Sequence, residues 1–258
     1  MAIDLTNKIS VITGAGNGIG KASAIEFARL GATVVASDID HDAATAVAQH
    51  ITQQGGTAIA VGSDVTDETQ VNDLITQATD TYGRLDILFN NAGGSQPKPT
   101  QEITTEEFRN TVSLNLFSMY YGVHAALPIM MEQQSGVILS TTSGAGLGAV
   151  PGLAAYGAAK AGMISLTRSI AAEFGAHGIR ANIISPGSMD TVGFRQWLET
   201  LPGGDDDYFS QIPSGRLGTG EDIAHVAAFL VSDYSDYING TVVPVDGGTA
   251  ALLAIPRV

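Results

Sequence analysis

Short runs of β-branched and apolar residues alternate with longer stretches of helical period along the whole chain. Residues 9–13, 33–37, 58–61, 87–90, 137–140, 181–185 and 242–245 predict seven strands. Between them, the spacing predicts helices over 19–30, 43–54, 68–82, 105–132, 155–174 and 222–232. Thr104 and Glu107 stand at capping-box spacing, Asp67 can cap the third helix, and Gly31, Gly55 and Gly175 sit where helices should stop. Strand and helix in strict alternation imply parallel pairing with right-handed crossovers and helices on both faces, since a buried strand needs cover on both sides.

Two solutions satisfy that alternation, an open doubly wound sheet and a closed eight-stranded barrel. A glycine-rich turn directly after the first strand favours the open, Rossmann-type α/β sheet, mostly parallel, in a single domain over residues 1–258. One long irregular stretch, residues 188–218, exceeds ordinary loop length and is expected to be a substrate lid.

Composition adds limits. Hydrophobic residues make up 44% and charged residues 15% of 258, enough apolar surface for one large core. The net charge of −14 repels phosphate backbones and anionic membranes, so no nucleic-acid or membrane partner is expected. Cysteine is absent, the apolar runs stop short of a membrane span, and residues 1–8 lack the apolar run of a signal peptide. A cytoplasmic location is the expectation. The five histidines are too scattered for ligand spacing, and Asp205-Asp206-Asp207 after Gly203-Gly204 is expected to be a solvated tip, so no metal is expected.

The turn Thr13-Gly14-Ala15-Gly16-Asn17-Gly18-Ile19-Gly20 opens a helix, which is what a pyrophosphate requires: backbone without Cβ, free N–H groups and a positive helix end. The strict G-x-G-x-x-G fingerprint is not met, because Ile19 stands at its last glycine. Asp38, about 20 residues on, can accept from adenosine ribose hydroxyls and would repel a 2′-phosphate, which neither Asn17 nor Ile39 could neutralise. NAD is preferred to NADP on that ground. The alternative is that Asp38 or Asp40 merely caps the next helix, with Asp40 the better cap. Tyr156 and Lys160 lie one helical turn apart, so the ammonium, together with a positive oxidised nicotinamide, would favour the phenolate and bring the phenol's pKa down. Ser143, after the fifth strand, can hold a substrate oxygen at the ligand edge of the sheet, or serve only as a turn residue.

Taken in order, the glycine turn, Asp64, Asn90-Asn91-Ala92-Gly93, Asn115, Ser143, Tyr156 with Lys160, and Pro186-Gly187 with Thr191 resemble the classical short-chain dehydrogenase/reductase family, nearly end to end. The resemblance implies that Tyr156 is the general acid/base, Ser143 polarises the carbonyl, Lys160 binds the nicotinamide ribose and tunes Tyr156, and Asn115 holds a relay water. It further implies cofactor contacts from Gly14, Asn17, Gly18, Ile19 and Gly20 at the pyrophosphate, Asp38 at the 2′-hydroxyl, and Asp64 with Val65 at the adenine. Asn91, Ala92 and Gly93 would floor the site, with Pro186, Gly187, Met189 and Thr191 on the nicotinamide side. Thr142 replaces a second serine common in the family, with little consequence expected.

The expected activity is NAD-dependent interconversion of a secondary alcohol and its ketone, in a homotetramer. Gly94, Ser95, Gln96, Ala145, Leu147, Val150, Leu153, Met189, Val192, Phe194, Trp197 and Leu198 would wall a largely apolar pocket suited to an alicyclic, aryl or steroid-like substrate; Phe194 and Trp197 could instead pack the lid. Two rivals remain: a 3-oxoacyl carrier-protein reductase, opposed by Asp38 and the acidic surface, and a non-catalytic dinucleotide sensor, opposed by the intact Ser143, Tyr156 and Lys160.

Overall fold

The computed structural model describes residues 3–199 and 204–252. Seven strands, β1 (Ile9–Thr13), β2 (Thr33–Asp38), β3 (Thr57–Gly62), β4 (Ile87–Asn90), β5 (Gly136–Thr141), β6 (Ile179–Pro186) and β7 (Val242–Val245), form one sheet in the order β3-β2-β1-β4-β5-β6-β7. Every neighbouring pair is parallel. Helix α1 (Gly18–Arg29), α2 (His41–Gln53), α3 (Glu68–Tyr82), the pair α4 (Thr105–Val112) and α5 (Ser118–Gln133), and α6 (Ala154–Phe174) each fill a crossover, leaving no hairpin between the strands they join.

Alternation along the strands divides the core in two. Ile12, Val34 and Phe89 face one side with Ala24 and Phe27 of α1, Val47 of α2 and Ile223 and Ala227 of α9 (Gly220–Val231). Val11, Val35 and Leu88 face the other, against Leu74 and Ile75 of α3, Met119 and Val123 of α5 and Met163 of α6. At the strand entrances, the buried Asp86 carboxylate accepts from Ile9 N–H at 2.9 Å and from both arms of Arg84. Every polar end of this buried charge is thereby engaged close to β1.

Two local expectations change. The long fourth helix is interrupted: α4 (Thr105–Val112) passes through a π-helical turn, Ser113–Phe117, into α5 (Ser118–Gln133), which accommodates Pro128 in its last third. The extra residue of the π turn does not disturb apolar period enough to be read from sequence. α6 ends at Phe174 with Gly175 as its C-cap, as expected; a 3₁₀ turn, Gly175–His177, follows and is itself capped by Gly178 at φ 71°. Within 188–218, helices α7 (Val192–Leu198) and α8 (Gly204–Phe209) replace the expected irregular chain. They gather a small core of Leu198, Ile212 and Leu217, with Phe194, Tyr208 and Phe209 packed on it. This segment leaves β6, and the chain returns through α9 to β7 of the same sheet. The caps hold as expected: Asp40 caps α2, Asp67 caps α3, and Thr104 with Glu107 closes a capping box on α4. Among the described residues no helix is long and apolar enough to cross a membrane.

Phe27 joins α1 to the sheet: it is wholly buried and its ring stacks on Phe89 at 6.3 Å. Phe27→Ala is expected to lower unfolding stability by about 3–5 kcal/mol, read as a fall in the urea midpoint at unchanged slope. A loss below about 1 kcal/mol would mean that α1 is not held by this contact.

Candidate active site

Strand order reverses between β1 and β4. The chain leaving β1 crosses one face and the chain leaving β4 the other, which opens a crevice at their carboxyl ends. The turn after β1 floors it. Gly14 and Gly18 take φ of 64° and 53°, and a Cβ on Gly14 would stand 3.0 Å from Ala92 Cα. Asn91 fastens the floor: its Nδ2 donates to the carbonyls of Thr13 and Gly14, while its Oδ1 accepts from Thr141 Oγ1 at 3.2 Å. Thr13 Oγ1 in turn accepts from the N–H groups of Asn91 and Ala92, both at 3.1 Å.

Along the crevice runs a cavity of about 880 Å³, from Asp38 and Asp64 past the glycine turn to Ser143, Tyr156 and Lys160. All the residues expected at the cofactor line it except Gly20. Gly20 is a packing glycine, because a Cβ there would run into the Gly14 carbonyl and come within 2.7 Å of Asn91 Nδ2. Asn115 also lies off the cavity wall. Its Nδ2 donates to the carbonyls of Gly94 and Thr111 at 2.8 and 2.9 Å, and its Oδ1 accepts from Gly94 N–H at 3.1 Å. Both amide hydrogens are therefore engaged, and a relay water could meet only an acceptor of this side chain.

The crevice suits a dinucleotide on three counts. Asn17 does not cap α1 with its side chain and the first turn carries no acidic residue, so the helix's leading N–H groups and positive end face the cavity unneutralised. Asp38 is not the helix cap. Its Oδ2 accepts from Gly16 N–H at 2.8 Å and its Oδ1 from Asp40 N–H at 3.0 Å, which holds the carboxylate beside the turn with lone pairs to spare for ribose hydroxyls. Lastly, the only cationic side chain on the cavity wall among the described residues is Lys160, at the far end from Asp38.

At that far end, α6 carries Tyr156 and Lys160 on one face. Tyr156 and Ser143 line the same stretch of the cavity, and Ser143 Oγ accepts from Ala145 N–H at 3.2 Å. Lys160 is 2% exposed; its Nζ donates to the Thr141 carbonyl at 2.8 Å and lies 5.3 Å from the centre of the Tyr156 ring. Burial raises the Tyr156 pKa, the Ser143 hydroxyl partly opposing it, and burial pulls the Lys160 amine down to about 7.

Sequence reasoning missed several wall residues: Ser63 and Ile39 near Asp38, Leu114 on the π turn, Asp190, and Thr141 and Thr142 at the end of β5. The unbroken hydroxyl run Ser140-Thr141-Thr142-Ser143 was the available signal for the last two. The apolar substrate wall is thinner than expected. Met189 lines the cavity, but Leu198 is buried in the lid core and Phe194 stacks edge-on against Tyr208 at 5.5 Å, while Leu147 and Val150 are exposed at the rim. Ser95 and Gln96 are exposed and Ala145 is buried. The side chains of Val192, Trp197, Asp206 and Asp207 lie outside the described residues, and Asp205 pairs with Arg195 at 3.1 Å.

A family model described as Enoyl-(Acyl carrier protein) reductase matches residues 14–250. Levodione reductase from Leifsonia aquatica is 39% identical over 255 residues, 95% of this chain and 95% of that protein. Cyclohexanol dehydrogenase from Acinetobacter sp. (strain SE19) is 35% identical over 248 residues, 96% of each chain. The solved structure of 7 alpha-hydroxysteroid dehydrogenase complexed with NADH and 7-oxo glycochenodeoxycholic acid superposes with a TM-score of 0.91 at 38% identity, covering 95% of both chains. With a phenol, a serine and a buried lysine converging on a dinucleotide-shaped crevice, and these relatives matching nearly end to end, the chain belongs to the classical short-chain dehydrogenase/reductases, oxidoreductases that act on CH–OH groups.

Proposed function

We propose that the protein is an NAD(H)-dependent dehydrogenase/ketoreductase for secondary alcohols of mostly apolar alicyclic, aryl or steroid-like character. The observation that carries this reading is that Ser143, Tyr156 and Lys160 line one cavity together with Asp38 and the glycine turn. When bound, the nicotinamide dinucleotide supplies the hydride acceptor or donor. The protein's residues handle the proton: Tyr156 exchanges it with the substrate oxygen, and Ser143 holds that oxygen in line. Lys160 sits behind the phenol and meets the ribose hydroxyls. Asp38 selects the unphosphorylated adenosine ribose by charge. Names of relatives that act on cyclohexanol and on a hydroxysteroid support a ring alcohol, as does a wall with Leu114 and Met189 near the reactive pair. Exposed Phe117 and Tyr120 on the α5 side support subunit contacts in a homotetramer, and the net charge of −14 supports a cytoplasmic enzyme with no nucleic-acid or membrane partner.

Three tests follow from this chemistry. Tyr156→Phe should lower kcat for a secondary alcohol by about 10²–10⁴-fold while NADH affinity, read by fluorescence titration, stays within about threefold. No turnover in either the parent or the variant, with NADH still bound by both, would favour a non-catalytic dinucleotide sensor.

Turnover with NADH should exceed that with NADPH, and Asp38→Ala should reduce the preference by about tenfold or more, the worth of a charge contact of about 1.4 kcal/mol. A native preference for NADPH together with reduction of 3-oxoacyl carrier-protein substrates would replace the present assignment with that activity.

The third concerns the buried amine. In the folded chain it loses its proton at about 7, whereas in the unfolded chain it keeps it to about 10.4. The unfolded state therefore binds more protons between those values, and stability rises with pH across that window, the cost of a buried ammonium being present below it. Lys160→Met should flatten this rise when unfolding is measured at pH 7, 8 and 9 without added dinucleotide. An unaltered slope would place the titrating group elsewhere.

A further inference from the structure

Thr142 immediately precedes Ser143, and the structure ties it to the helix that carries Tyr156 and Lys160. It is 2% exposed. Its N–H extends the pairing of β5 with β6 by donating to the Ile184 carbonyl at 2.7 Å, so its position is fixed by the sheet. Its Oγ1 donates at 3.0 Å to the main-chain carbonyl of Lys160, in the middle of α6. The residue before it, Thr141, offers its own carbonyl to Lys160 Nζ at 2.8 Å. Lys160 is thus held at both ends, main chain and amine, by two consecutive residues of one strand end.

The approach is close because Gly146 permits it. A Cβ at 146 would lie 2.9 Å from the Lys160 carbonyl carbon and 3.0 Å from both Lys160 Cβ and Thr142 Oγ1. One turn earlier on α6, a Cβ on Gly157 would come within 2.8 Å of the Ala145 carbonyl. The turn after β5 therefore lies flush on the face of α6 that carries Tyr156 and Lys160. Ser143 is the next residue after Thr142, and Tyr156 is one helical turn before Lys160. A tie between Thr142 and Lys160 consequently sets the separation of the Ser143 hydroxyl and the Tyr156 phenol. Threonine suits the task because its branched Cβ restricts χ1 and keeps the hydroxyl on the carbonyl.

We propose that Thr142 is a positioning residue for the oxidoreductase reaction, its hydroxyl clamping the Lys160 carbonyl so that Ser143 and Tyr156 meet at one substrate oxygen. The inference rests on the proposed function, and its test separates the two. Thr142→Val keeps the shape and removes the donor, leaving a buried carbonyl lone pair against a methyl. It should lower kcat about tenfold and shift the pH midpoint of kcat, with KM and NADH affinity within about threefold. Thr142→Ser, which keeps the donor, should retain kcat within about threefold.

A second readout needs no turnover. With ¹³C-labelled lysine, the ε-carbon of Lys160 can be titrated by NMR in the chain without added dinucleotide. Its midpoint, at about 7 in the parent, should rise by about half a unit or more in Thr142→Val as the amine's seat loosens and water reaches it, and should stay in Thr142→Ser. If the parent turns over no alcohol, the proposed function fails and the titration alone decides the clamp. A Thr142→Val protein with parental midpoints in both titrations overturns the proposal, even if it melts at a lower temperature. So does a Thr142→Ser protein as impaired as Thr142→Val, since shape rather than the hydrogen bond would then be responsible.

Discussion

A lysine amine taken out of water is costly unless something accepts its hydrogens, and the site is arranged around meeting that need for Lys160. The carbonyl of Thr141, at the last residue of β5, takes the amine at 2.8 Å. That carbonyl is available because β5 ends there and the chain turns away into Ser143 and the short turn behind it. The amine is consequently tied to the end of the sheet while its backbone belongs to α6, and the phenol one turn earlier is brought over the same edge. Burial holds the amine near the middle of the physiological range and the phenol above its ordinary pKa. Lack of water thus brings only the amine close to neutral pH and moves the phenol away from it, with Ser143 the one neighbour that opposes the rise on the phenol.

The same sheet edge supplies the rest. Asn91 and Thr13 stitch the ends of β1 and β4 together and Thr141 links β5 to them, so the glycine turn, the floor and the lysine's carbonyl partner move as one piece. The π-helical turn contributes from the side: it points Asn115 at the backbone of Gly94, and Asn115 shapes the floor rather than the wall. A charged group at each end gives the crevice polarity, the Asp38 carboxylate at one and the Lys160 amine at the other. Over the open side, α7 and α8 cohere through their own small core and through Arg195, which forks onto Asp190 and reaches Asp205. Asp190 belongs to the cavity wall, so this exposed ion network couples the lid's packing to the site's rim.

Much of this was legible in the amino-acid order. The seven strands, six of the helices to within a few residues and the Asp40, Asp67 and Thr104 caps follow from local rules, since period, caps and turns depend on neighbours along the chain. Ser143, Tyr156 and Lys160 are singled out by family resemblance, and the structure brings them to one cavity. What the order of residues could not determine is set by distance between elements far apart in sequence. Asp38 proves to be held by the glycine turn, Gly20 to be a contact between backbones, and Phe194 and Leu198 to pack the lid, because in each case the partner is chosen by folding. The electrostatics show it most plainly. Four residues of spacing place Lys160 one turn from Tyr156, but only the packed structure reveals that the amine faces a carbonyl, and desolvation, a property of the surrounding volume and not of sequence, then moves both pKa values.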